Sequence, residues 1–164
     1  MDKSKRDKFI YVMLCVFVVV VLYTAYTDQK RQEDIETYNI GARKVTNSVY
    51  SFCDNALGIY DEEPTSFSEL NDSHAIALVF IRRWVDMVMD AENNGVILYK
   101  DNGENAISEL VSIFEDISEL NSDIMNAYFL KNPEKNVELT KEEVTKRVKD
   151  IRQRTDMLCG PFPE

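Results

Sequence analysis

The hydrophobic pattern of this chain begins with one long apolar stretch near the N-terminus. No charged residue occurs from Phe9 to Thr27. A helix rises about 1.5 Å per residue, so these nineteen residues span roughly 28 Å, close to the hydrocarbon thickness of a bilayer. Tyr11, Tyr23 and Tyr26 lie near the two ends, where aromatic rings are favoured at the headgroups. The pattern predicts one transmembrane helix over residues 9–27.

A cleavable signal peptide has the same order of a basic start and an apolar core. The apolar core here is longer than the about 7 to 15 residues usual in signal peptides. The small-residue candidate for cleavage, Ala25-Tyr26-Thr27, is a poor one. We therefore expect the segment to be retained as a signal anchor.

Basic residues predict the orientation of this anchor. Cytoplasmic flanks of membrane helices are enriched in Lys and Arg. Before the apolar segment stand Lys3, Lys5, Arg6 and Lys8, whereas Lys30 and Arg31 follow it. The bias predicts a cytoplasmic N-terminus and a periplasmic or extracellular C-terminal domain.

Beyond the anchor, apolar residues recur at spacings of three and four in four stretches, which is the helical pattern. The stretches are Ile35 to Ile59, Thr65 to Ala91, Ile107 to Tyr128 and Thr140 to Leu158. The first contains no Pro and should continue the transmembrane helix outward. The chain is therefore expected to be all-α, a single N-terminal transmembrane helix continuing into an antiparallel four-helix bundle.

Two of these helices carry sequence signals for their first turn. Thr65 is expected to cap the second helix, whose first turn contains Glu69. Thr140 and Glu143 form a capping-box pattern at the start of the fourth. Residues 75–81 of the second helix are apolar on all sides, which predicts that this helix is the most buried of the four.

Charge divides the chain into three parts: a basic tail (1–8), a transmembrane segment (9–27) and an acidic bundle (28–164). The formal net charge is -10. Since the tail carries four basic and two acidic residues, residues 28–164 hold a formal -12. Such a domain repels phosphate, so no nucleic-acid partner is expected. Acidic residues concentrate in the third helix and basic residues in the fourth, which predicts that these two helices lie side by side.

Two cysteines, Cys53 and Cys159, lie outside the apolar segment. An even pair in an extracytoplasmic domain favours a disulfide, whose long loop would stabilise the fold by about 4.7 kcal/mol in the chain-entropy model. Two unrelated buried thiols are the alternative.

Catalytic residue patterns are sparse, and we expect no enzyme activity. The chain has one histidine, His74, on the core stripe of the second helix, where a hydrogen-bonded structural role is expected. One histidine without a CxxC pair leaves a zinc site almost without ligands. Glu63 and Asp72 have the spacing of a lysozyme-like carboxylate pair, but Leu78 stands where that pattern has Thr.

The segment from Asp90 to Asp101 resembles an EF-hand calcium loop. The resemblance places oxygen ligands at Asp90, Glu92, Asn94 and Asp101, with Gly95 at the sharp turn. It covers these twelve residues only, and it departs from the pattern because Asp101 replaces the bidentate Glu. The alternative is an acidic connection between two helices. The resemblance implies at most a weak calcium site, and no other cofactor is expected.

These features predict a non-catalytic interaction module, a subunit or regulator of a membrane-associated complex. Its partners would be the membrane and a protein, with a homo-oligomer as one option. Five aromatic residues off the main apolar stripes are candidates for a docking patch: Tyr50, Tyr60, Tyr99, Phe129 and Phe162. One alternative is an extracytoplasmic sensor that binds a small ligand or calcium and signals through a partner. A lysis or immunity type membrane protein shares the same layout.

Overall fold

The computed structural model describes residues 3–61, 63–93, 99, 103–129 and 139–160. Its helices are α1 (Lys3–Gly58), α2 (Phe67–Asn93), α3 (Gly103–Ile124) and α4 (Lys141–Cys159), and a π-helical turn, Met125–Phe129, follows α3 directly. Within those ranges no strand occurs, so the predicted all-α fold is confirmed. The chain divides into two compact units, Met1–Thr37 and Tyr38–Glu164.

The first unit contains the early part of α1, in which the segment from Ile10 to Leu22 carries apolar side chains on every side of the helix. From Ile10 to Leu22, each large apolar side chain is exposed, between 47% at Val21 and 73% at Tyr11. Protein buries 0% of this apolar window, in the one helix among the described residues that is long and apolar enough to cross a membrane. A helix that is hydrophobic all round without protein contacts suits a lipid environment.

The second unit has one apolar core to which all four helices contribute. Its fully buried side chains include Phe52 from α1, Trp84 from α2, Leu110 and Ile117 from α3, and Ile151 from α4. The periodicity of the sequence placed each of these residues on an apolar stripe. The predicted four-helix bundle is thus confirmed.

Contacts along α1 show that it runs antiparallel to α2 and to α4. Toward α2, Tyr38 packs edge-on against Trp84, whereas Phe52 packs against His74. Toward α4, the Tyr50 hydroxyl donates to Asp156 at 2.6 Å, and four residues later Asp54 accepts from Arg152 at 2.5 Å. Residue numbers rise on one helix as they fall on the other, which is the expected antiparallel arrangement.

The prediction that α2 is the most buried helix is wrong. Ile76 and Val79 are 51% and 49% exposed, although they lie within its continuous apolar run. By contrast, α3 buries Leu110, Ile113, Ile117, Leu120 and Ile124 almost completely. The reason is geometric, because a helix of a four-helix bundle turns only one face to the core, and the rest of a run that is apolar on all sides stays outside it.

Helix starts agree with the sequence signals to within one residue. The cap of α2 is Ser66 and not Thr65: the Ser66 backbone N–H donates to Glu69 Oε2 at 2.9 Å, and the Glu69 N–H donates to Ser66 Oγ at 3.2 Å. This is a reciprocal capping box. At α4 the predicted cap is confirmed, since the Glu143 N–H donates to Thr140 Oγ1 at 3.2 Å.

Gly41 in α1 is explained by the close approach of α2. A Cβ atom at this position would lie 2.7 Å from Trp84 Cζ3, a distance that side chains do not adopt. The small residue therefore lets the indole ring lie directly on the α1 backbone.

Gly41→Ala is expected to destabilise the bundle by about 1 to 3 kcal/mol through overpacking, although Ala favours helix by about 1 kcal/mol. Urea unfolding of the full-length protein in detergent measures this change. In the Trp84→Phe background the smaller ring leaves room, so the same substitution should cost less. An equal cost in both backgrounds would show that the indole contact is not the cause.

Candidate functional site

Four aromatic side chains meet at one end of the second unit and are termed the aromatic cluster: Tyr60, Phe67, Tyr128 and Phe129. The ring centroids of Tyr60 and Tyr128 lie 5.5 Å apart with planes at 82°. Phe67 and Phe129 lie 5.6 Å apart with planes at 83°. Both pairs have the edge-to-face geometry that aromatic rings prefer.

The π-helical turn explains how two consecutive residues both reach this cluster. A π-helical turn closes its hydrogen bonds one residue later than an α-helix, which changes the direction of the side chains that follow. Tyr128 meets Tyr60 in the connection after α1, and Phe129 meets Phe67 in the first turn of α2. The local irregularity thus joins the end of α3 to the α1–α2 connection.

The two tyrosine hydroxyls fix the rings to the start of α4. Tyr60 and Tyr128 donate to the same carbonyl oxygen, that of Leu139, at 2.8 and 2.9 Å. Burial raises the pKa of Tyr60, and the Tyr128 hydroxyl and the negative charges of Glu142 and Glu143 act in the same direction. The Tyr60 hydroxyl therefore stays protonated and keeps donating at physiological pH.

Part of the cluster remains accessible. Phe67 is 46% exposed and Tyr128 is 36% exposed, while Tyr60 and Phe129 are half-buried. Aromatic side chains that are rigid and partly exposed are typical anchors of protein interfaces.

The predicted aromatic patch is only partly formed. Tyr60 and Phe129 belong to the cluster, but Tyr50 packs under Arg152, whose Cζ lies 4.8 Å from the ring centroid. Tyr99 is inside the fold, where it accepts from Trp84 Nε1 at 3.2 Å and donates to the Leu158 carbonyl at 2.9 Å. Phe162 lies outside the described residues.

Sequence reasoning missed Phe67 and Tyr128 because both were assigned to core stripes. Ideal helical periodicity continues each stripe to the end of its helix. The π-helical turn breaks that periodicity, and no local sequence signal announces it.

The predicted pairing of α3 with α4 is confirmed by arginine contacts between them. Arg154 donates to Glu109, to Asp116 at 2.5 Å and to Ser112 at 2.8 Å. Arg147 donates to Asp123 at 2.6 Å. Because these carboxylates are partly exposed, each pair contributes about 0 to 1 kcal/mol. Their main effect is to fix which helices are neighbours.

The predicted Cys53–Cys159 disulfide is not formed, and both residues are free buried thiols. The contacts of Tyr50 with Asp156 and of Asp54 with Arg152 define the register of α1 against α4. In that register Cys159 lies opposite a point about six residues, or roughly 9 Å, from Cys53. A disulfide needs Cα atoms within about 7 Å, so the two cysteines are too far apart along the helices.

Full-length protein dissolved in urea without reductant should titrate as three free thiols per chain, because all three cysteines are free. In the native state, burial raises the pKa of Cys53 to about 11 and that of Cys159 to about 12. Both thiols are therefore protonated at pH values near 8, and their labelling should be slow until the bundle opens.

Cys53→Ala is the control for this titration. If the thiols are free, the variant has one titratable thiol fewer than the wild type. If Cys53 and Cys159 formed a disulfide, the substitution would release Cys159 and the number of titratable thiols would rise. A single reactive thiol in the unfolded wild-type chain would contradict the assignment.

His74 lies beside the core, where its ring centroid is 5.8 Å from that of Phe52. Burial lowers its pKa, so the neutral form is favoured. Within the described ranges its Nε2 atom has no hydrogen-bond partner, in contrast to the hydrogen-bonded role expected from the sequence. The location of His74 near the core agrees with the prediction.

Two of the predicted ligands in the EF-hand-like segment, Asn94 and Asp101, lie outside the described residues. Asp90 and Glu92 are exposed in the last turn of α2. Among the residues that the structure describes, no group of three His, Cys, Asp or Glu side chains could hold a metal ion. Calcium binding by the four predicted ligands stays a prediction from the sequence.

An open depression of about 430 Å³ runs along α4 and is lined mainly by charged side chains of both signs. Two of its carboxylates, Asp116 and Asp150, are bound to Arg154. A shallow surface whose charges are partly neutralised by ion pairs offers little to enclose a small ligand. The depression therefore does not favour the sensor alternative.

Comparisons of the chain with protein-family models, with curated proteins and with solved structures found no match.

Proposed function

We propose that this chain is a single-pass membrane-anchored, non-catalytic interaction module that serves as a subunit or regulator of a membrane-associated complex. The observation that carries the proposal is the contrast between its two units. The first exposes apolar side chains on every side over a membrane-length helix. The second buries its own apolar residues in a core. A bilayer is the surrounding that suits the first unit, while water suits the second.

Hydroxyl groups near the end of the apolar segment are compatible with lipid. Thr24 Oγ1 donates to the Val21 carbonyl at 2.9 Å, and Thr27 Oγ1 donates to the Thr24 carbonyl at 2.8 Å. Polar groups in hydrocarbon need such internal partners because water is absent there. This supports the placement of residues 9–27 in the membrane. The excess of Lys and Arg before the segment supports a cytoplasmic N-terminus and an extracytoplasmic bundle.

The potentially reactive side chains are packed, buried or engaged in ion pairs, which supports a binding role rather than catalysis. His74 packs beside Phe52, and both thiols outside the anchor are buried and protonated. Arg147, Arg152 and Arg154 form ion pairs between helices. These groups have structural surroundings within the bundle, whereas the aromatic cluster presents ordered side chains at the surface.

Chemical cross-linking in native membranes, followed by extraction in mild detergent, tests the proposal. The chain has a mass of 19.0 kDa, so a complex with a partner is readily separated from the monomer. We expect a defined cross-linked species of higher mass that survives extraction. A product that runs only as the monomer at native expression level would contradict a role in a complex.

A further inference from the structure

We propose that the aromatic cluster is a docking surface for a cationic segment of a partner protein, one that carries arginine or lysine side chains. This inference rests on the proposed function and adds the chemistry of the partner. It is argued from the exposure, rigidity and charge of this one end of the bundle.

Among the described residues next to the cluster, acidic side chains outnumber basic ones. Asp61 and Glu63 are exposed in the connection between Tyr60 and Phe67. Glu142 and Glu143 are exposed in the first turn of α4, three and four residues after the Leu139 carbonyl that holds both tyrosine hydroxyls. Lys141 is the basic residue in that turn. A cationic group at the rings would therefore be attracted by four nearby carboxylates.

Within the described ranges, these four carboxylates form no ion pair with the bundle. The ion pairs found in the described part of the chain all involve arginines of α4, and their acidic partners are Asp54, Glu109, Asp116, Glu119, Asp123 and Asp150. None of those pairs includes a carboxylate at the rim of the cluster. The acids along α4 are thus partly neutralised, while the rim keeps its charge for a partner.

Ring geometry suits a cation. Each edge-to-face pair leaves ring surface open, and the negative face of an aromatic ring attracts guanidinium and ammonium groups. The chain already contains one such contact, since Arg152 lies over the Tyr50 ring. Hydrogen bonds to the Leu139 carbonyl hold Tyr60 and Tyr128 in place, so these side chains lose little conformational entropy when a partner binds.

The exposed apolar residues of α2 do not offer the same chemistry. Ile76 and Val79 are aliphatic, and Arg82 and Arg83 follow within one turn of Val79 on the same helix. These two arginines would repel a cationic segment next to Val79. In the part of the chain that the structure describes, the aromatic cluster is consequently a surface where ring faces coincide with carboxylates that form no ion pair.

Binding of a fluorescent peptide of alternating arginine and glycine to full-length protein in nanodiscs tests the inference. The same peptide with citrulline in place of arginine keeps the shape but removes the charge, and should bind at least about ten-fold more weakly. Phe67→Leu combined with Tyr128→Leu retains apolar packing but removes two rings. This variant should also lose at least about ten-fold in affinity.

A charge-matched pair of variants separates local attraction from overall acidity. Asp61→Asn with Glu63→Gln removes two charges at the rim, whereas Asp86→Asn with Glu115→Gln removes two exposed charges elsewhere. The first pair should weaken binding several-fold more than the second. Equal losses of peptide affinity in these two double variants would overturn the inference. So would full peptide binding by the Phe67→Leu, Tyr128→Leu variant with a native circular dichroism spectrum.

Self-association is the competing outcome. If sedimentation shows a dimer that the leucine variant abolishes, the cluster binds a second copy and the cationic partner is ruled out. Incorporation into nanodiscs and resistance to alkaline extraction are measured on the same samples. Failure of peptide binding with the anchor still inserted therefore overturns this inference alone, and leaves the membrane module intact.

Discussion

Replacing both Val18 and Val19 with Asp is expected to remove the full-length protein from the membrane fraction. Both side chains lie at the centre of the apolar segment and are exposed on the helix surface. At the centre of a membrane helix each Asp costs about 2.5 to 3.5 kcal/mol, whereas each Val contributes about -0.3 to -0.6 kcal/mol. The double substitution therefore changes the insertion free energy by about 6 to 8 kcal/mol.

The measurement is the fraction of protein that stays with membranes after an alkaline wash. Replacing the same two residues with Leu keeps the segment apolar and should leave that fraction unchanged. Retention of the Asp variant in washed membranes would show that this helix does not carry the attachment.

Trp84→Ala is expected to destabilise the bundle by about 3 to 5 kcal/mol, the range for large core aromatics. The side chain is 1% exposed, packs edge-on against Tyr38 with centroids 6.2 Å apart, and covers the backbone at Gly41. Its Nε1 donates to Tyr99 Oη, and the Tyr99 hydroxyl in turn donates to the carbonyl of Leu158 near the end of α4. The substitution thus leaves a cavity and removes the donor that links α2 to Tyr99.

Urea unfolding of the full-length protein in detergent, followed by circular dichroism, gives the change in unfolding free energy. Trp84→Phe also removes the indole donor but retains most of the ring volume. Its loss of unfolding free energy should therefore be smaller than that of Trp84→Ala. Ile76→Ala, at an exposed position of the same helix, should stay within about 0.5 kcal/mol. A cost for Trp84→Ala no larger than that of Ile76→Ala would mean that Trp84 is not a core residue in solution.

The helices and several of their starts could be predicted because their signals are local. Thr140 and Glu143 are three residues apart, and this spacing alone indicates the N-terminal turn of α4. The pairing of α3 with α4 followed from opposite charges, which the structure joins through Arg147 and Arg154. Periodicity also placed Phe52 and Trp84 in the core, since helical spacing identifies the buried face.

The predictions that were wrong, and the cluster that was missed, depend on how the helices are arranged in space. The Cys53–Cys159 bridge required an axial register between α1 and α4 that sequence spacing does not contain. Exposure of Ile76 and Val79 depends on which face of α2 turns to the core, and a run that is apolar on all sides does not indicate that face. The aromatic cluster depends on the π-helical turn Met125–Phe129, which directs Tyr128 and Phe129 toward the α1–α2 connection.

Labelling of single introduced cysteines in intact cells tests most directly whether the anchored bundle faces away from the cytoplasm. Ser4→Cys precedes the apolar segment, and Ser51→Cys lies at an exposed position of α1 within the second unit. Cys15 is replaced by Ala as background, and the buried Cys53 and Cys159 are left in place. A membrane-impermeant maleimide should label Ser51→Cys in intact cells, and Ser4→Cys only after permeabilisation. If intact cells label Ser4→Cys but not Ser51→Cys, the predicted orientation is contradicted. If both variants are labelled equally, and only after permeabilisation, an extracytoplasmic bundle is contradicted.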